Sequence, residues 1–164
     1  MFQKIRNPVE VVVGTLKLTG DLDGPDLGWK TIPLECTYMG QDLLNPPSVE
    51  GWHTGREWIN SGTLVERINF ASDILGNTDL EGVQSLVNPL MHMGDKLTPE
   101  QFVNGCLNLT GPVVLTDDTM GQLISHATQE GELSHSTDAE KSEFTRRTGE
   151  MFQMIAATAE FQFE

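Results

Sequence analysis

The sequence predicts an all-α fold: one domain over residues 1–164, built as a bundle of about seven amphipathic helices. Three observations support this prediction. Helix-start signals recur along the chain, apolar residues follow them at helical spacing, and no segment alternates apolar and polar residues between hairpin turns. A chain of 164 residues also fits one domain with its own core.

Five segments pair an Asn or Thr with a Glu or Gln three residues later, which is the capping-box pattern of a helix start. They are NPVE at 7, TLVE at 63, TDLE at 78, TPEQ at 98 and TDAE at 137. Pro8 and Pro99 stand at the first helical position, where a missing N–H costs nothing. Thr116 is predicted to cap a further helix, because two aspartates follow it in the first turn.

Apolar residues behind these starts repeat at i, i+3, i+4 and i+7, which places them on one face of a helix. The first such stripe consists of Val9, Val12, Val13 and Leu16. The last stripe predicts one long final helix from Phe144 to Ala159. Another helix is expected from about Thr31 to Leu44. The segment GPVVL at 111 has no partner strand and is predicted to be an extended linker.

The charge balance restricts the partners. Ten Lys and Arg oppose 24 Asp and Glu, for a formal net charge of −14. Nucleic-acid binding draws its affinity from cations that neutralise phosphates, so we expect neither nucleic acid nor an anionic membrane surface as a partner. No run of about 18 apolar residues is present, so no transmembrane helix is predicted. No signal peptide is predicted either, and the compartment is left unassigned.

Metal and cofactor signals are weak. The chain has four histidines, His53, His92, His126 and His135. No two of them are spaced as metal ligands, with each other or with a cysteine, so we expect no metal and no cofactor. Cys36 and Cys106 each lie in an apolar pattern and are predicted to be buried free thiols, with one disulfide as the alternative. The charged stretch HSTDAEKSEFTRR is predicted to form a solvated helix face.

The stretch GDLDGPDLGW is a candidate calcium loop, because it holds Asp21, Asp23 and Asp26. An EF-hand loop needs an oxygen ligand at its fifth position, Gly at its sixth and Glu at its twelfth. Those positions hold Pro25, Asp26 and Ile32 here, so the EF-hand interpretation fails. A loose surface calcium site remains the alternative.

The stretch NPPSVEGWHTGREWIN holds the candidate ligand-binding or structural residues. They are Glu50, Trp52, His53, Arg56, Glu57 and Trp58. In a functional interpretation, Glu50 and Glu57 act as paired carboxylates, a tryptophan supports a sugar and His53 serves as a base. In a structural interpretation, the prolines end a helix, the glycines allow a tight path and the tryptophans fill gaps. The structural interpretation is favoured, because aromatic residues beside Pro and Gly usually fix a corner.

Three stretches carry a family resemblance: NPVEVVVGTLKLTG, MGQDLLNPPSVEGWHTGREWINSGTLVERINFA and the closing MIAATAEFQFE. The matching positions are Pro8, Val9, Glu10, Met39, Gly40, Gln41, Pro46, Pro47, Val49, Gly51, Trp52, Trp58, Ile59, Leu64, Arg67, Glu160, Phe161 and Gln162. These motifs resemble the C-terminal part of the bacterial family called domain of unknown function 1800. The resemblance is specific over 7–75 and 151–163, and poor over 76–150.

Members of that family are longer and carry a large N-terminal part, so the resemblance implies that this chain is the C-terminal portion of a longer protein. Members are often encoded beside a family with export signals, which implies an envelope or secreted setting. The leading hypothesis is a helical packing or interaction domain, whose partner is the missing N-terminal part or a second copy. The alternatives are a hydrolase of an envelope or extracellular polymer, or a ligand-binding module, each using the Trp52–Trp58 loop.

Overall fold

The computed structural model describes residues 4–20, 28, 30–52 and 54–163. These residues form eight α-helices, one 3-10 helix and a two-stranded antiparallel ribbon. The helices are α1 Pro8–Leu18, α2 Thr31–Tyr38, the 3-10 helix Gly55–Trp58, α3 Ser61–Gly76, α4 Glu81–Met91, α5 Pro99–Thr110, α6 Asp117–Gln129, α7 Asp138–Ala157 and α8 Ala159–Gln162. The predicted all-α fold is confirmed. No described helix is both long and apolar enough to cross a bilayer.

The ribbon was not expected from the sequence. Strands β1 Lys96–Leu97 and β2 Leu133–Ser134 pair with Leu97 opposite Leu133, and both leucines are buried. Two residues per strand are too few to show alternation, so the sequence pattern gave two loops instead.

Three of the five predicted capping boxes are present, at Asn7, Thr98 and Thr137, and Thr116 caps α6 as expected. The box at Thr63 is wrong, because Asn60 caps α3 and begins the helix earlier, with Thr63 as the N3 residue. The box at 78 is also wrong. An Asn77 side chain accepts from the Asp79 N–H in a local turn there, and α4 begins at Glu81 without a side-chain cap.

Two predicted helices end earlier than expected. The helix from Thr31 stops at Tyr38, because Gly40 takes a left-handed φ of 96° and the Gln41 N–H returns to the Cys36 carbonyl. The long final helix is two helices, since the extended Thr158 ends α7 and caps α8. Residues 111–116 form the extended linker that the sequence predicted.

Two clusters of buried apolar residues form the core. The larger one is built mainly by α5 and α7, with residues of α3, α4 and α6 packed onto them, and the smaller one joins α1, α2 and α3. α1 buries Val11, Val12 and Leu16, whereas Val13 is exposed, so the predicted stripe was displaced by one position. Cys36 and Cys106 are buried free thiols as predicted, and burial raises the pKa of each above its usual value.

Helices α3 and α7 make the most extensive contact in the fold, and a glycine allows it. A Cβ on Gly149 would lie 2.7 Å from Thr78 Cγ2 and 3.0 Å from the Gly76 carbonyl oxygen. Any larger residue at this position therefore has to push the two helices apart.

Candidate functional site at the Trp52–Trp58 loop

A groove of about 770 Å³ lies where the N-terminal segment, the 3-10 helix and the C-terminal end of the chain meet. Ile5 pairs with Phe163 in an isolated antiparallel bridge, which brings the two ends of the chain to the same place. The lining residues are Lys4, Ile5, Asn7, Glu10, Thr54, Gly55, Arg56, Trp58, Ile59 and Phe163. The volume falls in the range of small-molecule sites, roughly 300–1,000 Å³.

The loop that forms one wall of the groove is fixed at its end by α3. The Thr63 hydroxyl donates to the Trp58 carbonyl oxygen at 2.9 Å, and the Asn60 N–H donates to the same hydroxyl oxygen at 3.0 Å. Gly51 and Gly55 both take left-handed φ values, 95° and 64°, which let the chain turn twice within five residues. The 3-10 helix that follows holds Trp58 almost buried, with 8% of its surface exposed.

Of the five candidate residues that the structure describes, two lie at the groove. Arg56 and Trp58 line it, whereas Glu50 and Glu57 are exposed and lie outside its lining. Trp52 is half-buried, and its indole Nε1 is buried without a hydrogen-bond partner in the described part of the chain. His53 lies outside the described residues, as do the calcium candidates Asp21, Asp23 and Asp26.

Glu10 is the carboxylate among the described lining residues, and it is already engaged. Its Oε2 accepts from the Asn7 backbone N–H at 2.8 Å, and its Oε1 pairs with the Lys4 ammonium group. Burial acts to raise the pKa of Glu10, but the hydrogen bonds from Lys4 and Asn7 and the charges of Lys4 and Arg6 hold it below its usual value. Glu10 is therefore an ionised capping group and a poor proton donor at neutral pH.

Arg67 of α3 lies beside the groove and is fully buried. Its Nη2 donates to the Arg6 carbonyl oxygen at 2.6 Å and its Nε to Gln162 Oε1 at 3.4 Å, while Nη1 has no partner among the described residues. No described carboxylate pairs with it. Burial, with a smaller effect of Arg6, lowers the pKa of Arg67 to about 10 against the opposing charge of Glu10, so the guanidinium stays charged at neutral pH.

Comparison with protein families identifies a match. The family model described as "Protein of unknown function (DUF1800)" matches residues 1–163. The chain belongs to this family. Neither the curated proteins nor the solved structures contain a match.

Several residues that carry the DUF1800 resemblance hold distant parts of the fold together. Arg67 and Gln162 bond to each other across 95 positions of sequence, and Gln162 also donates to the Ala156 carbonyl oxygen at 3.0 Å. Glu160 accepts from the Thr116 N–H at 3.1 Å, so α8 supports the start of α6. These contacts give the motif residues structural roles.

Sequence reasoning missed two buried arginines. Arg67 falls on the apolar stripe of α3, and this position was the available signal that its side chain turns inward. The predicted solvated face is correct for Arg146, which is exposed, and wrong for Arg147, of which 4% of the side chain is exposed. Arg147 is held inside because its Nη2 donates to the carbonyl oxygens of Ala127 and Gly131, at 3.1 and 2.9 Å.

A second cluster of potential ligand atoms lies on α6 and α7. Atoms of His126, Glu130 and Glu150 come within 4.8 Å of one another. Both glutamates are already paired, because Arg146 contacts Glu130 and Glu150. Arg147 Nε also lies 2.9 Å from Glu130 Oε2, an ion pair whose angle departs from that of a hydrogen bond. The guanidinium groups occupy the positions that a cation would take, so the cluster is a salt-bridge network.

Proposed function

We propose that the chain is a non-catalytic helical domain with which a larger, exported bacterial protein packs against another polypeptide. The observation that carries this proposal is a group of exposed apolar side chains on α2 and the segment after it. This group, the α2 surface, consists of Leu34, Tyr38, Leu43, Leu44 and Val49. It holds five of the nine large exposed apolar residues among the described ones, and such concentration is typical of interaction sites. Export rests on the family resemblance.

The α2 surface is presented by an ordered backbone. Residues 42–50 are all exposed, yet Asp42 accepts from Thr37 Oγ1 at 3.3 Å and from Asn45 Nδ2 at 2.8 Å. Leu44 has a left-handed φ of 67°, which is uncommon for a residue with a branched side chain, and 97% of it is exposed. A strained backbone that holds a leucine in water supports a role outside the monomer.

The charge around the α2 surface favours a partner of different sequence over a second copy. Glu35 on α2 faces Glu66 and Asp73 on α3. Burial, together with these two like charges, raises the pKa of Glu35 above its usual value. A symmetric dimer would place this acidic group against itself, which like-charge repulsion disfavours. A segment with apolar and basic residues fits instead, and we assign it to another part of the longer protein.

The test is to express the polypeptide encoded in frame upstream of Met1 and to titrate it with this chain by calorimetry. We expect a complex that Leu44→Ser/Val49→Ser weakens by about tenfold or more, as for apolar residues at the centre of an interface. Val114→Ser is the matched control, because Val114 is also 85% exposed but lies outside the α2 surface. The proposal fails if no polypeptide is encoded there, if no complex forms, or if the control weakens binding as much.

The groove supports a second candidate, a ligand-binding module at the Trp52–Trp58 loop. The hydrolase form of this idea needs Glu50 and Glu57 on one substrate, and neither residue lines the groove. The groove therefore favours binding over catalysis. A screen of sugars and small molecules against the parent chain and Trp58→Ala checks this candidate, because Trp58 is the tryptophan that lines the groove. Loss of binding with retained helicity supports a site, whereas loss of folding indicates that Trp58 only fixes the corner.

A further inference from the structure

We propose that the groove binds small organic anions with an apolar body, with arylcarboxylates as the class, and that Arg56 is the residue that contacts the carboxylate. This inference rests on the second candidate above, the ligand-binding module, and adds the chemistry of its ligand. It does not depend on the α2 surface. Three features support it: the local charge, the state of Arg56 and the apolar walls.

The groove is a positive region in an acidic protein. Four of the ten Lys and Arg lie in its lining or beside it, namely Lys4, Arg6, Arg56 and Arg67, although the formal net charge is −14. Glu10 is the carboxylate in the described lining, where its negative charge is shared with Lys4, and Glu57 lies between two lining residues, so the described cations in and beside the groove outnumber the described carboxylates by four to two. Arg67 adds a buried charge that forms no ion pair with a described carboxylate. Low-dielectric walls strengthen such a field and attract anions.

Arg56 is the cation that is available to a ligand. Its side chain is exposed, it lines the groove, and it makes no hydrogen bond or ion pair with any described residue. A guanidinium presents parallel N–H donors whose spacing matches the two oxygens of a carboxylate. Thr54, two residues before Arg56, adds a further polar side chain to the lining.

Much of the remaining lining of the groove is apolar. Ile5, Ile59 and Phe163 are each half-buried and line the groove, so part of their remaining surface faces it. Trp58 is also in the lining, but with 8% of its surface exposed it offers little ring area on which a sugar can stack. An apolar body between aliphatic and aromatic walls therefore fits this groove better than a sugar ring does.

The experiment compares 2-naphthoate with its neutral isostere 2-naphthamide by calorimetric titration of the full chain. We expect naphthoate to bind at micromolar to millimolar concentration, and naphthamide to bind about tenfold more weakly or not at all. Arg56→Gln should weaken naphthoate binding by about tenfold and leave naphthamide unchanged. Lys96→Gln is the matched control, because it removes the same charge from an exposed residue outside the groove lining. Thermal unfolding of each variant shows that the fold is retained.

The outcomes separate this inference from the broader candidate. Equal binding of both probes, lost on Ile59→Ser, overturns the anion class and supports a ligand-binding groove. Binding of naphthoate that Arg56→Gln and Lys96→Gln weaken equally overturns the role of Arg56, because it shows a general charge effect. Absence of binding by both probes at millimolar concentration overturns the inference, and the ligand-binding module is then decided by the screen of sugars and small molecules. Only selective loss in Arg56→Gln supports the inference.

Discussion

Two regions of the molecule each contain arginines, and the regions differ in whether carboxylates pair with them. On α7, Arg146 and Arg147 are each paired with a carboxylate, Arg146 with Glu143 at 2.6 Å and Arg147 with Glu130 at 2.9 Å. At the groove, neither the buried Arg67 nor the exposed Arg56 has a described carboxylate partner. The first region uses its cations to hold two helices together. The second region has positive charge that is not paired within the described fold and is available to a ligand.

The largest expected effect on the free energy of unfolding is in the region where the arginines are paired with carboxylates. Arg147→Met should lower the free energy of unfolding by about 3 kcal/mol, because it strands Glu130 and the buried carbonyl groups that Arg147 satisfies. Urea unfolding measures the loss. Arg146→Met is the control, and since Arg146 makes exposed surface pairs its loss should stay below about 1 kcal/mol. Equal losses in the two variants would remove the distinction between them.

The corresponding Arg-to-Met substitution beside the groove should lower the free energy of unfolding by a smaller amount. Arg67→Met gives up the bonds to the Arg6 carbonyl and Gln162, but it strands no carboxylate and removes a buried charge. The expected loss in unfolding free energy is about 1 kcal/mol, measured in urea beside Arg147→Met. A loss as large as that of Arg147→Met would mean that Arg67 is neutralised by an anion, and the comparison would be wrong.

The Glu160 carboxylate differs from those in both regions, because uncharged donors stabilise it and no described arginine does. Glu160→Ala should destabilise the fold by about 1 kcal/mol, because α6 loses the acceptor for Thr116 N–H and Thr119 Oγ1. Burial acts to raise the pKa of Glu160, but these hydrogen bonds hold it below its usual value. The contribution of ionisation is therefore present above the unfolded-state pKa and is lost as the pH falls through the folded-state pKa. Stability of Glu160→Gln should depend less on pH across that window.

The smallest effect is expected at the acidic side of the α2 surface. Glu35→Gln should stabilise the chain at neutral pH by less than about 1 kcal/mol, because it removes a partly buried charge beside Glu66 and Asp73. A raised carboxyl pKa means that ionisation costs stability above the folded-state pKa, and this cost disappears as the pH falls below the unfolded-state pKa. Thermal unfolding at pH 7 and pH 4 should show the gain shrinking at the lower pH. A gain that persists unchanged would indicate packing as its cause.

The sequence predicted what local chemistry determines. Asn7, Thr98 and Thr137 cap helices because a box needs only residues within one turn, and the apolar stripe of α5 follows from its own period. The prediction that Thr63 caps α3 was wrong, because Asn60 is an equally good N-cap residue one turn earlier. The capping-box pattern does not indicate which of two such residues begins the helix.

The candidate site was predictable only in part, because it depends on contacts between distant residues. The sequence of the loop was enough to propose Arg56 and Trp58 as site residues. Ile5 and Phe163 lie at the groove because they pair in a bridge between distant parts of the chain, and Glu10, on α1, follows Ile5 in the sequence. Nothing in the loop's own sequence indicates that pairing. The inward turn of Arg147 depends likewise on the free carbonyl groups at the end of α6, which lies in another helix.

The most direct test of the central claim measures the local potential in solution. Amide proton relaxation is compared in the presence of an anionic nitroxide and of a neutral nitroxide of the same size. The ratio of interest is the relaxation enhancement by the anionic nitroxide divided by that by the neutral one. The account predicts that this ratio is higher at the amide protons of Gly55 and Arg56 than at those of Glu143 and Arg146, and that it falls in Arg56→Gln. A ratio at Gly55 and Arg56 as low as that at Glu143 and Arg146 would contradict an uncompensated positive groove.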